Sequence, residues 1–131
     1  SMAFGVRMGI ERYNLDIAAR VEEGRTAANE RMAAVFDQTD FVICASNPDI
    51  AFPAHIESNT RVSGEKAPAG NNGALTIPAN ISGNPAISVP AGFVEGMPVG
   101  VQIIGVQHSD RALLDLAHLW EKSSPWPLVA E

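Results

Sequence analysis

Cysteine is almost missing from this 131-residue chain, in which Cys44 stands alone. One thiol rules out an internal disulfide framework and suits a reducing, cytoplasmic setting. Basic residues are scarce too: nine Lys and Arg face fifteen acids, and they are scattered singly. A net charge of −6 without a basic patch disfavours nucleic acid and anionic membrane surfaces as partners, because both require positive charge. No apolar run approaches the roughly 20 residues that span a bilayer, and the N-terminus lacks the charged-then-apolar pattern of an export signal. His55, His108 and His118 share no ligand spacing, and no acid or Cys cluster joins them. No Walker pattern or dinucleotide fingerprint is present either, so neither a metal nor a cofactor is expected. Repeats and low-complexity blocks are also missing.

What remains is the composition of a soluble globular chain, 46% hydrophobic and 18% charged, long enough for one domain with a modest core. Ser1 ahead of Met2 reads as a residue left by tag removal, with Met2 an engineered start inside a longer parent.

From about Ala3 to Phe36 the pattern is helical. Ile10, Tyr13, Ile17 and Val21 recur at three- and four-residue steps, and Ala28, Met32 and Val35 resume the stripe. Gly24 interrupts it, leaving one kinked helix or two successive helices. Phe41–Ala45 is a short apolar run of strand length, read as buried on both faces. Residues 46–74 are rich in Pro, Asn, Gly and Ser and follow neither period, which predicts a long loop with a function or a missing partner surface. Thr76 is placed to cap a short helix over 76–82, with Pro78 in its first turn and Gly83 ending it. Strands follow at 86–89 and 99–104, joined by an irregular connection from Pro90 to Pro98. Ser109 is placed to cap a last helix over 110–122, whose Leu113, Leu116, Ala117 and Trp120 form one apolar stripe. Pro125-Trp126-Pro127 then ends regular structure. The economical arrangement is α/β: a small mixed sheet with helices on at least one face.

The run Leu75-Thr76-Ile77-Pro78-Ala79-Asn80-Ile81-Ser82-Gly83-Asn84-Pro85-Ala86-Ile87-Ser88-Val89-Pro90-Ala91-Gly92, followed by Pro98-Val99-Gly100-Val101-Gln102, resembles the C-terminal signature of the amidase signature family. Asp40-Phe41-Val42-Ile43 resembles the strand that enters that family's Pro-Thr-x-Pro loop, here Ala45-Ser46-Asn47-Pro48. The resemblance implies a C-terminal portion of a serine hydrolase that converts a carboxamide to acid and ammonia through a Ser–Ser–Lys triad. The nucleophile, bridging Ser and Lys would lie in an earlier part of the chain, so no catalytic residue is expected here and this stretch alone should be inactive. A small-molecule amide is then the ligand of the full-length parent. Glutamine-using members of the family place an acid three residues before the Thr. Gly73 stands there instead, which points to a simple amidase over the tRNA-linked branch.

Within this resemblance, Thr76, Pro78, Asn80, Gly83, Pro85, Pro90, Gly92, Pro98, Gly100 and Gln102 are expected to be structural. Gly83, Gly92 and Gly100 supply positive φ or close approach, Asn80 fixes the turn into the next strand, and Pro85 and Pro90 bracket a strand and stop it. Ser46, Asn47, Pro48, Asp49 and Phe52 form the candidate wall of a substrate pocket, since loops past the carboxyl ends of strands line ligand crevices. A Ser63–Lys66 pair is the only imaginable dyad, and Lys66 lies in a polar loop where solvent keeps it protonated. Cys44, inside an apolar strand, reads as an inert thiol. Two rivals stand beside the hydrolase fragment. One is a non-catalytic interaction module derived from an amidase tail; the other is a complete small hydrolase using Ser63 and Lys66. Lost strands would also leave an open sheet edge and an uncovered apolar face, so self-association is expected.

Overall fold

The computed structural model describes residues 4–68 and 70–126. Ala3, where the helical segment was expected to begin, and Pro127 lie outside the described residues.

The N-terminal segment forms two helices, α1 (Phe4–Arg12) and α2 (Leu15–Phe36). The break falls at Tyr13-Asn14 and not at Gly24, which sits inside an unbroken α2. Asn14 decides this: its backbone is extended, and its Oδ1 accepts the Ile17 N–H at 3.0 Å, capping α2. Gly24 costs helix propensity but, unlike Asn14, has no side-chain acceptor with which to start a second helix.

Strand β1 (Phe41–Ala45) pairs antiparallel with β5 (Met97–Gly105), which pairs antiparallel with β4 (Ala86–Val94), giving the order β1-β5-β4. The α/β class, a sheet with flanking helices, holds, and both pairings in this sheet are antiparallel. β1 is an edge strand and is not buried on both faces: Ile43 is 62% exposed. Both long strands run past the prolines that were expected to bound them. Pro90 pairs with Gly100 and Pro98 with Phe93. Proline survives there because β4 is an edge, and because β5 at Pro98 lies beyond the end of β1 and has a neighbour on one side only. The strands close in a hairpin at Glu95-Gly96, where both residues have positive φ (52° and 76°), the backbone of a type I′ turn. Gly92, at φ 105°, accommodates a bulge between Pro90 and Phe93.

Residues 46–74 are not structureless. They contain the two-stranded hairpin β2 (Arg61–Val62) and β3 (Glu65–Lys66), turning at Ser63-Gly64, and a 3-10 helix at Asn71–Gly73. Helix α3 (Ile77–Ser82) follows, ended by Gly83 in the left-handed conformation. Thr76 precedes α3 without capping it through its side chain; its hydroxyl donates to the Gly73 carbonyl instead. Ser109 behaves alike before α4 (Asp110–Ser123), donating to the Val106 carbonyl. In both, the residue's φ/ψ is off the extended region that points a cap oxygen at the helix N–H groups.

The core lies between the sheet and α4. Val89, Ile103 and Leu113 are buried, with Ile87, Val101, Leu116, Ala117, Trp120 and Trp126 packed around them. Ile103, 1% exposed, is its centre. On the opposite sheet face, buried Gln102 donates to the Leu75 carbonyl at 3.0 Å and to Cys44 Sγ at 3.4 Å. The bond to Leu75 ties β5 to the approach to α3, and Cys44 is half-buried.

Candidate functional site

Because β1 ends opposite Val101, the stretch of β5 from Met97 to Gly100 has no strand on that side. The chain leaving β1 is tied down once, by the Ser46 N–H to the Gly100 carbonyl at 2.9 Å. It then swings away, and the space between it and the bare strand is a cavity of about 620 Å³. Asn47, Pro48, Asp49 and Phe52, expected in a pocket wall, all line it. Ser46 does not. Its hydroxyl is turned to the Ser88 hydroxyl, and the two are hydrogen-bonded beneath Gly100.

The far wall was not foreseen. Asn59, Asn71 and Asn72 come from the loop, and Val94, Pro98, Val99 and Val101 from the hairpin. Asn59 donates to the Ile50 carbonyl at 3.0 Å. Asn71, buried, donates to the carbonyls of Asn59 (2.6 Å) and Pro68 (2.9 Å). These side chains pin the loop to itself in place of regular structure, satisfying carbonyls that no ladder reaches. In sequence they look like ordinary turn asparagines, and nothing in their spacing singles them out.

Among the described residues the lining holds no Ser, Thr, Cys, Tyr, His, Lys or Arg, and Asp49 is its one ionisable residue. One Asp49 oxygen accepts the Ile50 N–H at 2.8 Å. The wall can therefore bind and orient a ligand, but it presents no nucleophile and no base beside one. Two hydroxyls of the signature run are committed to structure: Ser82 donates to the Pro78 carbonyl, Thr76 to that of Gly73. Ser63 and Lys66 are exposed on the β2–β3 hairpin, away from the desolvated setting a dyad requires. His118 lies 3.8 Å from Glu121 on the exposed side of α4. Among the described residues no group of His, Cys, Asp and Glu is placed to hold a metal, and no helix is long and apolar enough to cross a membrane.

Of the signature residues, Pro98 and Gly100 line this cavity. Gly100 lies over Ser46 and Ser88, where a Cβ would come within 2.8 and 2.9 Å of their hydroxyl oxygens. Asn80 was expected to fix the turn out of α3. It instead donates back to the Thr76 carbonyl, and the turn is held by Asn84 to the Gly105 carbonyl and Gln107 to the Ser82 carbonyl, each at 2.8 Å. Asn80, on an exposed side of the helix, does not reach β5, whereas Asn84 sits beside Pro85, whose carbonyl already accepts the Gly105 N–H.

The family model described as Amidase matches residues 7–114, most of the chain. This chain belongs to the amidase family. A glutamyl-tRNA(Gln) amidotransferase subunit of Listeria welshimeri is 36% identical over 105 residues, covering 80% of this chain and 21% of that protein. The same subunit from Thermosynechococcus vestitus is 34% identical over 108 residues, again 21% of its length. Among solved structures, a bacterial aryl acylamidase of the amidase signature family matches with a TM-score of 0.79 at 26% identity, over 90% of this chain and 25% of that one. The corresponding glutamyl-tRNA(Gln) amidotransferase subunit from Thermotoga maritima matches with a TM-score of 0.61 at 31% identity, over 96% of this chain and 29% of that one. The chain thus spans about a fifth of the length of the curated amidase-family relatives it matches.

Proposed function

We propose that this chain is the C-terminal part of an amidase that hydrolyses a carboxamide to a carboxylic acid and ammonia, and that it contributes a pocket wall and the sheet beneath it. The nucleophilic Ser, bridging Ser and Lys of the family's mechanism belong to sequence this chain does not contain. The observation that carries this reading is the cavity: it is lined by the signature strand and the loop after β1, and among the described residues its lining has one carboxylate and no nucleophile. In the complete enzyme the bare edge at Met97–Gly100 would meet structure that brings the triad to the cavity, and the acyl portion of the amide would rest on Asn47–Phe52. The single free thiol fits a reducing, cytoplasmic setting.

A second reading within the family has its own support. The two curated relatives are named as amidotransferase subunits, which favours a chain that works in a multi-subunit assembly. Gly73 counts the other way, since an acid is expected at that point in glutamine-using members. We take simple amide hydrolysis as the better supported.

The same bare edge and the apolar side chains exposed along α1 and α2 are proposed as the surfaces through which the isolated chain self-associates. Incubating it with a fluorophosphonate probe tests the absence of a catalytic serine. No covalent adduct is expected by mass spectrometry; an adduct on Ser63, Ser46 or Ser88 would overturn the proposal.

A further inference from the structure

Asn72 is the chain's one asparagine followed by a glycine, in the run Asn71-Asn72-Gly73. It is exposed and lines the cavity, and its side-chain amide has no hydrogen-bond partner among the described residues. Its neighbour is the opposite case: Asn71 is buried and has given both amide hydrogens to the carbonyls of Asn59 and Pro68. Asn71 is anchored, while Asn72 is free to rotate. The Gly73 N–H reaches the Gly70 carbonyl at 3.4 Å, beyond the usual range of roughly 2.7–3.2 Å. It belongs to a 3-10 helix of 3 residues, a form whose hydrogen bonds are poorly aligned and open locally at little cost. A backbone nitrogen held this weakly, with no side chain on its own Cα, is accessible to the Asn72 side-chain carbon. Every other asparagine precedes a residue with a side chain, and for Asn47 and Asn84 that residue is a proline, whose nitrogen carries no hydrogen.

From this juxtaposition, and independently of the enzyme reading above, we infer that Asn72-Gly73 is a self-modification site at which the chain deamidates through a succinimide. Solvent base takes the Gly73 N–H proton and the nitrogen bonds to Asn72 Cγ. The Cγ–Nδ2 bond breaks, and ammonia leaves. Water then opens the ring. Cleavage between the nitrogen and Cγ gives Asp at position 72; cleavage between the nitrogen and the Asn72 main-chain carbonyl carbon gives isoaspartate, with Cβ now part of the backbone. Either product adds a carboxylate to a lining whose one ionisable group among the described residues is Asp49. Isoaspartate also lengthens the backbone directly beside Asn71, whose two bonds pin the loop. The cavity wall thus carries a reaction that changes its charge and its shape with age.

Timed incubation of the folded 131-residue chain at mildly alkaline pH, followed by peptide mapping and enzymatic methylation of isoaspartate, tests the inference. Conversion is expected to concentrate at Asn72, to yield more isoaspartate than Asp, and to slow in a parallel sample at mildly acidic pH. A urea-unfolded sample should convert at Asn72 no more than about tenfold faster than the folded one. Gly73→Ala should slow the reaction by about tenfold or more; its added Cβ would lie 3.4 Å from Ile77 Cδ1, an ordinary contact that the fold accommodates. If Asn72 stays intact in the folded chain while the unfolded chain converts, the 3-10 helix protects it and the inference is wrong. Conversion spread equally over Asn72 and the exposed Asn80, or a Gly73→Ala rate equal to that of the parent, would overturn it as well.

Discussion

Gly100 shows how tightly one position of the signature is specified. Its hydrogen occupies the gap over the Ser46–Ser88 pair, where a methyl carbon would lie 2.8 and 2.9 Å from two hydroxyl oxygens. Gly100→Ala must therefore push β1's exit or β4 away, a forced repacking that costs about 1–3 kcal/mol. Urea unfolding should show that loss, and Ser46→Ala with Ser88→Ala in the same chain should recover part of it, because the three sites share one contact. Full additivity of the losses would contradict the shared contact. The sequence announces Gly100 as a site of close backbone approach, yet it does not say that Ser46 is the neighbour. Two residues 54 apart in sequence meet only through the pairing of β1 with β5, and Ser46, read as a pocket residue, is consumed by that meeting. Gln102 is similar: its buried amide finds a carbonyl 27 residues away, a partner chosen by tertiary structure and invisible to local pattern.

Among the elements, α4 and β1 are the most legible, since one apolar stripe and one apolar run each have a single economical outcome. Helix α3 comes with its own stop signal in Gly83. The hairpin is longer than its sequence suggests because Pro90, Gly92 and Pro98 all look like terminators. On an edge or at a bulge they are tolerated, and whether a strand is an edge depends on sheet order, which no local window contains. Gly24 is the visible interruption in the N-terminal stripe, but the capping Asn14 has the stronger physical claim to the α1–α2 boundary. The turn at Glu95-Gly96 carries a testable flaw: Glu95 occupies the left-handed region at φ 52°, where a side chain without local hydrogen bonding is strained. Glu95→Asn supplies the residue that type I′ turns favour. It should raise stability by up to about 1 kcal/mol, read as a higher thermal midpoint. An unchanged or lower midpoint would mean that the turn is not as described.

Taken whole, the molecule is unevenly finished. One sheet face is sealed by α4, while α2 buries no residue and Leu15 is 86% exposed. Ile10, Tyr13 and Val21 are uncovered as well, and β5 has a bare edge beside the cavity. A chain with that much unpartnered apolar surface should form dimers or larger species at micromolar concentration. Light scattering coupled to size exclusion would read this, and a strict monomer across the accessible concentration range would count against it. The candidate site is half legible in sequence for the same reason. The segment leaving β1 is marked by its position after a strand, and four of its five proposed residues do line the cavity. The opposing asparagines and the hairpin side chains enter the site only because the loop folds over a strand edge, a relation between segments distant in sequence.

The central claim is that this chain holds a binding wall whose chemistry arrives from elsewhere. The most direct measurement is complementation: an amidase of the same family, deleted for the stretch corresponding to this chain, is mixed with the 131-residue protein and assayed on benzamide. Hydrolysis by the mixture, with none from either part alone, is the predicted result. Turnover by the 131-residue chain alone, lost on Ser63→Ala or Lys66→Ala, would contradict it.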